Sequence, residues 1–275
     1  MNLLTRAVVA AALAAAPIFV PFEPATAGVG DLLVAPTRLI LNGGRGSEII
    51  FNNIGDEPAT YRISVEFRRM NADGTLDEVA EPSAAEKAAE DMLIYAPRRV
   101  TLAPHEPQSI RIAARPPKGL PDGEYRVHML FRAVPPPTPV VKQASAPAKG
   151  VSFRLIPVYG ITIPVIVRLG SLEAKAGISD VHVEKKDGKP AIALELSRSG
   201  DRSTFGEVRV LKPGVKDPIG IAKAVAVYTE IGERKVVVPV DDTFTGQVSG
   251  PVTVQYVEKY PDGSKTIAET QAVLR

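Results

Sequence analysis

Period-two alternation runs through most of this chain and commits it to antiparallel β-structure. In Tyr61-Arg62-Ile63-Ser64-Val65-Glu66-Phe67-Arg68 apolar and polar residues trade places at each step, the pattern of a strand with one face buried and one wet. Glu124 to Arg132 repeats it, with Tyr125, Val127, Met129 and Phe131 on one side. Further strand-like runs lie near 32–41, 47–53, 92–102, 108–115 and 151–168. Turn residues punctuate them: Asp73-Gly74, Pro104 and Pro121-Asp122-Gly123. With 25 prolines and 22 glycines in 275 residues, long helices are disfavoured, because proline removes a donor the helix interior needs. Short strands at this spacing predict an immunoglobulin-like sandwich.

Two stretches depart from the pattern. Ser83 with Glu86 three residues on forms a capping box ahead of alanine-rich residues, which predicts a short helix up to Met92. Residues 134–150 are rich in proline and polar residues and read as a long loop within the first domain. Leu169-Gly170-Ser171 is the better boundary. Beyond it, strand patterns resume at 178–185, 191–198, 207–212, 221–230, 234–240, 251–259 and 265–274, with hairpin turns at Asp187-Gly188 and Asp262-Gly263. The chain is therefore expected to be all-β, with two immunoglobulin-like sandwich domains in tandem, at 28–169 and 170–275.

The first 27 residues read as a cleaved secretory signal peptide. Arg6 precedes a short apolar run from Ala7 to Ala15, and Ala25-Thr26-Ala27 fits the small-x-small cleavage pattern. The expected location is the periplasm, as a soluble protein. There is no cysteine, so stability must come from buried core, and thiol catalysis is excluded. His105, His128 and His182 lack ligand spacing, which argues against zinc. A net charge of +2, balanced between the two halves, is not that of a nucleic-acid binder. Arg68-Arg69 and Arg98-Arg99 read as solvated faces, and Asp56-Glu57 and Asp241-Asp242 as loop acids, since neighbours on a strand point to opposite sides. No nucleophile–base set is recognisable, so no enzymatic activity and no cofactor are expected.

Several stretches, in this order, resemble the PapD-like periplasmic pilus (fimbrial) assembly chaperones. Val34-Ala35-Pro36-Thr37-Arg38 is similar to the family's first strand with its basic residue, and Phe51-Asn52-Asn53-Ile54-Gly55 to its strand-end turn. Pro97 to Pro104 with Gln108-Ser109-Ile110-Arg111-Ile112, and Leu120 to Tyr125 with Phe131 to Pro135, match two further family segments. The resemblance covers about 32–168. It implies a chaperone that lends an edge strand to pilin-like subunits (donor-strand complementation) and delivers them to an outer-membrane usher; a self-capping dimer is a further implied state. By the same resemblance, Arg38 is one of two basic residues that grip the subunit's C-terminal carboxylate. The second, a lysine in the family, falls at Pro164, so that half of the clamp is missing; what replaces it is open, with Arg154 as one candidate. Glu124, Arg168 and Asp262 stand at the positions of an interdomain ion-pair network.

The donated strand is expected at 151–163, where Phe153, Leu155, Pro157, Tyr159, Ile161 and Ile163 alternate. The same side chains could equally fill their own sandwich. Pro157 and Pro164 favour a peripheral position, since proline in a sheet is tolerated mainly at edges. Three buried apolar side chains contribute roughly 1.5–3 kcal/mol each and a charged bond to Arg38 about 1.5–3 kcal/mol. Polar substitution at Leu155 plus Tyr159 is therefore expected to weaken binding more than Arg38→Ala. The alternative reading is a non-catalytic periplasmic or surface β-sandwich adhesion or scaffold module. An aromatic content of 5% without tryptophan disfavours a sugar-binding version of it.

Overall fold

The structure, a computed structural model, describes residues 31–135, 158–260 and 263–275. In chain order the first part forms β1 (Leu32–Ala35), β2 (Leu39–Leu41), β3 (Ser47–Asn53), β4 (Ala59–Glu66), β5 (Arg68–Met70) and β6 (Leu76–Glu78). Helix α1 (Ala84–Asp91), β7 (Leu93–Ala96), β8 (Arg99–Leu102), β9 (Pro107–Ala114), β10 (Gly123–Val134) and β11 (Gly160–Leu169) follow. The second part comprises β12 (Ala174–Lys186), β13 (Lys189–Gly200), β14 (Thr204–Leu211), β15 (Gly220–Val227), β16 (Glu233–Pro239), β17 (Gly250–Tyr260) and β18 (Gly263–Leu274).

Each part is a sandwich. The first stacks the sheet β1-β3-β9-β7 on the sheet β2-β11-β10-β4-β8. Alternation sends Ile49 and Phe51 of β3 and Tyr61, Ile63, Val127, Met129 and Phe131 of β4 and β10 into one dry core. Phe51 anchors it, its ring 6.0 Å from Tyr61 and 5.8 Å from Phe131, offset and edge-on as aromatic quadrupoles prefer. The second part pairs β12-β13-β16 with β15-β14-β17-β18 around Leu194, Leu196, Val208, Val254 and Tyr256. The fold is thus all-β, as the alternation predicts.

The helix starts where the capping box places it. The Ser83 hydroxyl accepts the Glu86 amide at 3.3 Å, and the Glu86 carboxylate accepts the Ser83 amide at 2.7 Å. Two of the long runs are each two strands. The run at 32–41 breaks at Pro36 into β1 and β2, which join opposite sheets. The run at 92–102 breaks at Pro97 into β7 and β8, which also join opposite sheets. In both, proline ends the ladder and the chain crosses between layers. The strand expected over 151–168 is described from residue 158, and β11 begins at Gly160; residues 151–157 lie outside the described part.

The hairpin β5–β6 belongs to neither layer of its sandwich. Its turn reaches the second one, where the Ala72 carbonyl accepts the Lys235 amide of β16 at 2.7 Å. Gly74 at the tip has φ +86°, and a Cβ there would strike the Arg234 guanidinium, so glycine serves both the turn and the close approach. Met70, Ile166, Ala226 and Tyr228 make a small apolar core between the two parts.

Candidate functional site

Strand β11 holds the site through its two flanks. On one side it pairs with β10 along its whole length, from Gly123 opposite Leu169 to Arg132 opposite Gly160. On the other it pairs, in parallel, with β2 over Val165–Val167 only. Between residues 158 and 164 that second flank has no neighbour among the described residues. The Tyr159 carbonyl accepts the Ala133 amide at 3.0 Å. Alternation then turns the backbone groups of residues 161 and 163 to β10 and those of Gly160, Thr162 and Pro164 to the open flank. Pro164 therefore costs the resident ladder no bond; its missing amide falls on the open side.

The side-chain row of this strand runs from exposed to buried. Tyr159 is 52% exposed, Ile161 is half-buried against the first core, and Ile163 is 2% exposed within it. Of the two readings left open for this row, Ile161 and Ile163 pack on their own sandwich. Phe153, Leu155 and Pro157, together with Arg154, lie outside the described residues.

At the closed end of the flank stands Arg38. Leu39 lies opposite Val165, so Arg38 sits level with Pro164. It is no surface arginine. Its Nη2 donates to the Ser203 hydroxyl at 3.0 Å, and its guanidinium lies 4.6 Å from the Phe205 ring centre and 5.7 Å from that of Tyr228. Its Nε and Nη1 are buried without a partner among the described residues. Burial pushes its pKa down, opposed by Tyr228 and Glu124, yet a guanidinium keeps its charge at any ordinary pH. Two unsatisfied charged donors in a sheltered place form a ready acceptor for an anion.

Glu124 and Arg168, both expected in an interdomain network, do meet. Arg168 Nε donates to Glu124 Oε2 at 3.0 Å, with the Glu124 side chain fully buried. The same oxygen accepts the Ser203 amide at 3.0 Å, and Arg168 Nη2 donates to the Ser203 carbonyl at 3.2 Å. Asp262, the third expected member, lies outside the described residues. Ser203, absent from the sequence reading, supplies the second sandwich's contribution through its main chain and hydroxyl.

A second cluster was also missed. Arg126 grips Glu230 with two bonds, at 2.9 and 2.5 Å, and Glu230 also accepts the Met70 amide at 2.8 Å. Burial raises the Glu230 pKa, but the bonds from Arg126 outweigh it and hold the carboxyl below its usual range. The Arg126 guanidinium stacks 3.7 Å from the Tyr228 ring centre, and the buried His128 ring meets that tyrosine edge-on at 6.4 Å. The available signal was local: Glu124, Arg126 and His128 share one face of β10. Of the residues read as solvated, Arg68 pairs with Glu66 and Arg69 with Glu86. No group of three metal-binding side chains occurs among the described residues, and no described helix is long and apolar enough to cross a membrane.

Fold and site together define a two-sandwich β-protein with a sheltered interdomain arginine, Arg38, beside an open strand flank. No family model matches the chain, and no curated protein matches it. Among solved structures it is similar to the Pseudomonas aeruginosa CupB2 chaperone, at 11% identity and a TM-score of 0.47 over 88% of this chain and 100% of that one. It is also similar to a structure of the Salmonella enterica SafA pilin with the SafB chaperone, at 15% identity and a TM-score of 0.45, covering 90% and 99%. A third is the CsuC–CsuE chaperone–tip adhesion subunit complex of Acinetobacter baumannii, at 14% and 0.43, covering 89% and 98%.

Proposed function

We propose that this chain is a non-catalytic periplasmic chaperone of pilin-like subunits. It takes a partner's strand onto the open flank of β11 and seats the partner's terminal carboxylate on Arg38, and it hands the subunit to an outer-membrane usher. Unpaired backbone groups along 158–164 form a template for β-addition. The observation that carries the reading is Arg38 at the end of that flank, with two buried guanidinium nitrogens that have no partner among the described residues. Tyr228 and Phe205 stack on the guanidinium and the Ser203 hydroxyl fixes its orientation, so the anchor is preorganised. Glu124 and Arg168 hold Ser203, and with it the angle between the sandwiches.

The test is calorimetric titration with a peptide of alternating apolar residues, supplied as the free acid and as the C-terminal amide. The acid is expected to bind roughly ten- to a hundredfold tighter, since a hydrogen bond to a charged group contributes about 1.5–3 kcal/mol. Arg38→Ala is expected to erase that difference. Equal affinity of acid and amide for the parent protein sinks the proposed anchor.

A further inference from the structure

On the outer face of the β2-β11-β10-β4-β8 sheet, the face that farther along β10 carries Arg126 and His128, three arginines stand in a cross-strand row. Arg132 of β10 is directly opposite Arg62 of β4, and Arg62 is directly opposite Arg99 of β8. All three are exposed. They share a face because their strand neighbours Phe131, Tyr61 and Val100 pack on the core. None of them is in an ion pair among the described residues. The stretch after Arg132, residues 136–157, contains no Asp or Glu and adds Lys142, Lys149 and Arg154. Like charges directly opposite on neighbouring strands destabilise a sheet. A row of three such charges, without an ion pair among the described residues, is complementary to an acidic partner.

The row leads to the open flank. The other neighbour of Arg132 is Gly160 of β11, which has no side chain to stand between Arg132 and a strand added alongside. Such a strand would lie two strand spacings, about 10 Å, from the Arg132 backbone, a gap that an arginine and a glutamate can close together. A Cβ at Gly160 would sit 3.1 Å from Leu130 Cδ1, which ties the bare position to its neighbour. We infer that the row Arg132-Arg62-Arg99 sets specificity: it selects subunits whose added strand carries carboxylate side chains on its outer face, at and beside the position facing Gly160. This rests on the strand-addition reading above.

The test uses two peptides with the same alternating apolar residues and free C-terminus, one with Glu and one with Gln at the outward positions. Fluorescence anisotropy is read for the full chain and for the Arg62→Gln/Arg99→Gln/Arg132→Gln variant, whose fold is checked by circular dichroism. The parent is expected to prefer the Glu peptide by roughly tenfold, from several favourable cross-strand pairs. The preference should vanish in the variant and at high salt, with affinity for the Gln peptide unchanged. Equal binding of both peptides to the parent overturns the role of the row and leaves strand addition standing. Binding of neither overturns both. Arginine-dependent binding to phosphatidylglycerol vesicles with no preference between the peptides assigns the row to a membrane surface and overturns it as well.

Discussion

His128 is 1% exposed and neither ring nitrogen has a partner among the described residues. Arg126, Arg68 and Arg38 bear on it, the Tyr228 ring covers it edge-on, and opposite it on β4 stands Glu66, whose carboxylate is held by Arg68 and Thr162. Burial first, and then the three arginines, push its pKa down to about 3. In the unfolded chain the ring titrates near ~6.5. Below that value the unfolded state takes up a proton that the folded state refuses, so stability is complete above it and is lost as pH falls. The loss amounts to about 1.4 kcal/mol per pH unit. His128→Leu should remove this contribution. Urea unfolding of parent and variant between about pH 7 and about pH 4 should show the parent losing stability faster, and parallel pH profiles would contradict the buried neutral imidazole.

At the scale of the strand, the phase of β11 is the informative feature. The Thr162 amide points to the open flank and the Ile163 amide to β10, so the same substitution should act oppositely at adjacent positions. Thr162→Pro is expected to weaken peptide binding roughly two- to tenfold, the worth of one net backbone bond, with only the small loss in melting that comes with the Thr162–Glu66 hydrogen bond. Ile163→Pro breaks a resident bond and disturbs the core, so it should lower the melting temperature. Binding and melting of both variants check this, and a thermal loss in Thr162→Pro equal to that of Ile163→Pro would reverse the assigned phase. Much of this was legible in the sequence: alternation gave the inward faces of β4 and β10, and Ser83 and Glu86 gave the helix start. Alternation names faces and leaves their partners open. It therefore left open whether Ile161 faces its own core, and missed that the runs at 32–41 and 92–102 change layers at Pro36 and Pro97. Arg38 and Ser203 are 165 positions apart, and nothing local in either residue announces the other.

Across the whole molecule, Glu230 links three pieces: Arg126 of β10, the Met70 amide of the β5–β6 hairpin, and its own sandwich. The Arg126 side chain is 8% exposed and that of Glu230 23%, so breaking the pair strands a largely buried cation at a cost of about 3 kcal/mol or more. Glu230→Ala should turn a single calorimetric transition into two, as the sandwiches melt separately. A single transition with an unchanged midpoint would mean that the hairpin and the Tyr228 core suffice to couple them. The placement of β2 carries a last consequence. By occupying β11 from Val165 onward, it is a buffer stop under the strand-addition proposal: a guest chain zipping toward β2 halts beside Arg38, and its alignment is set from that fixed end.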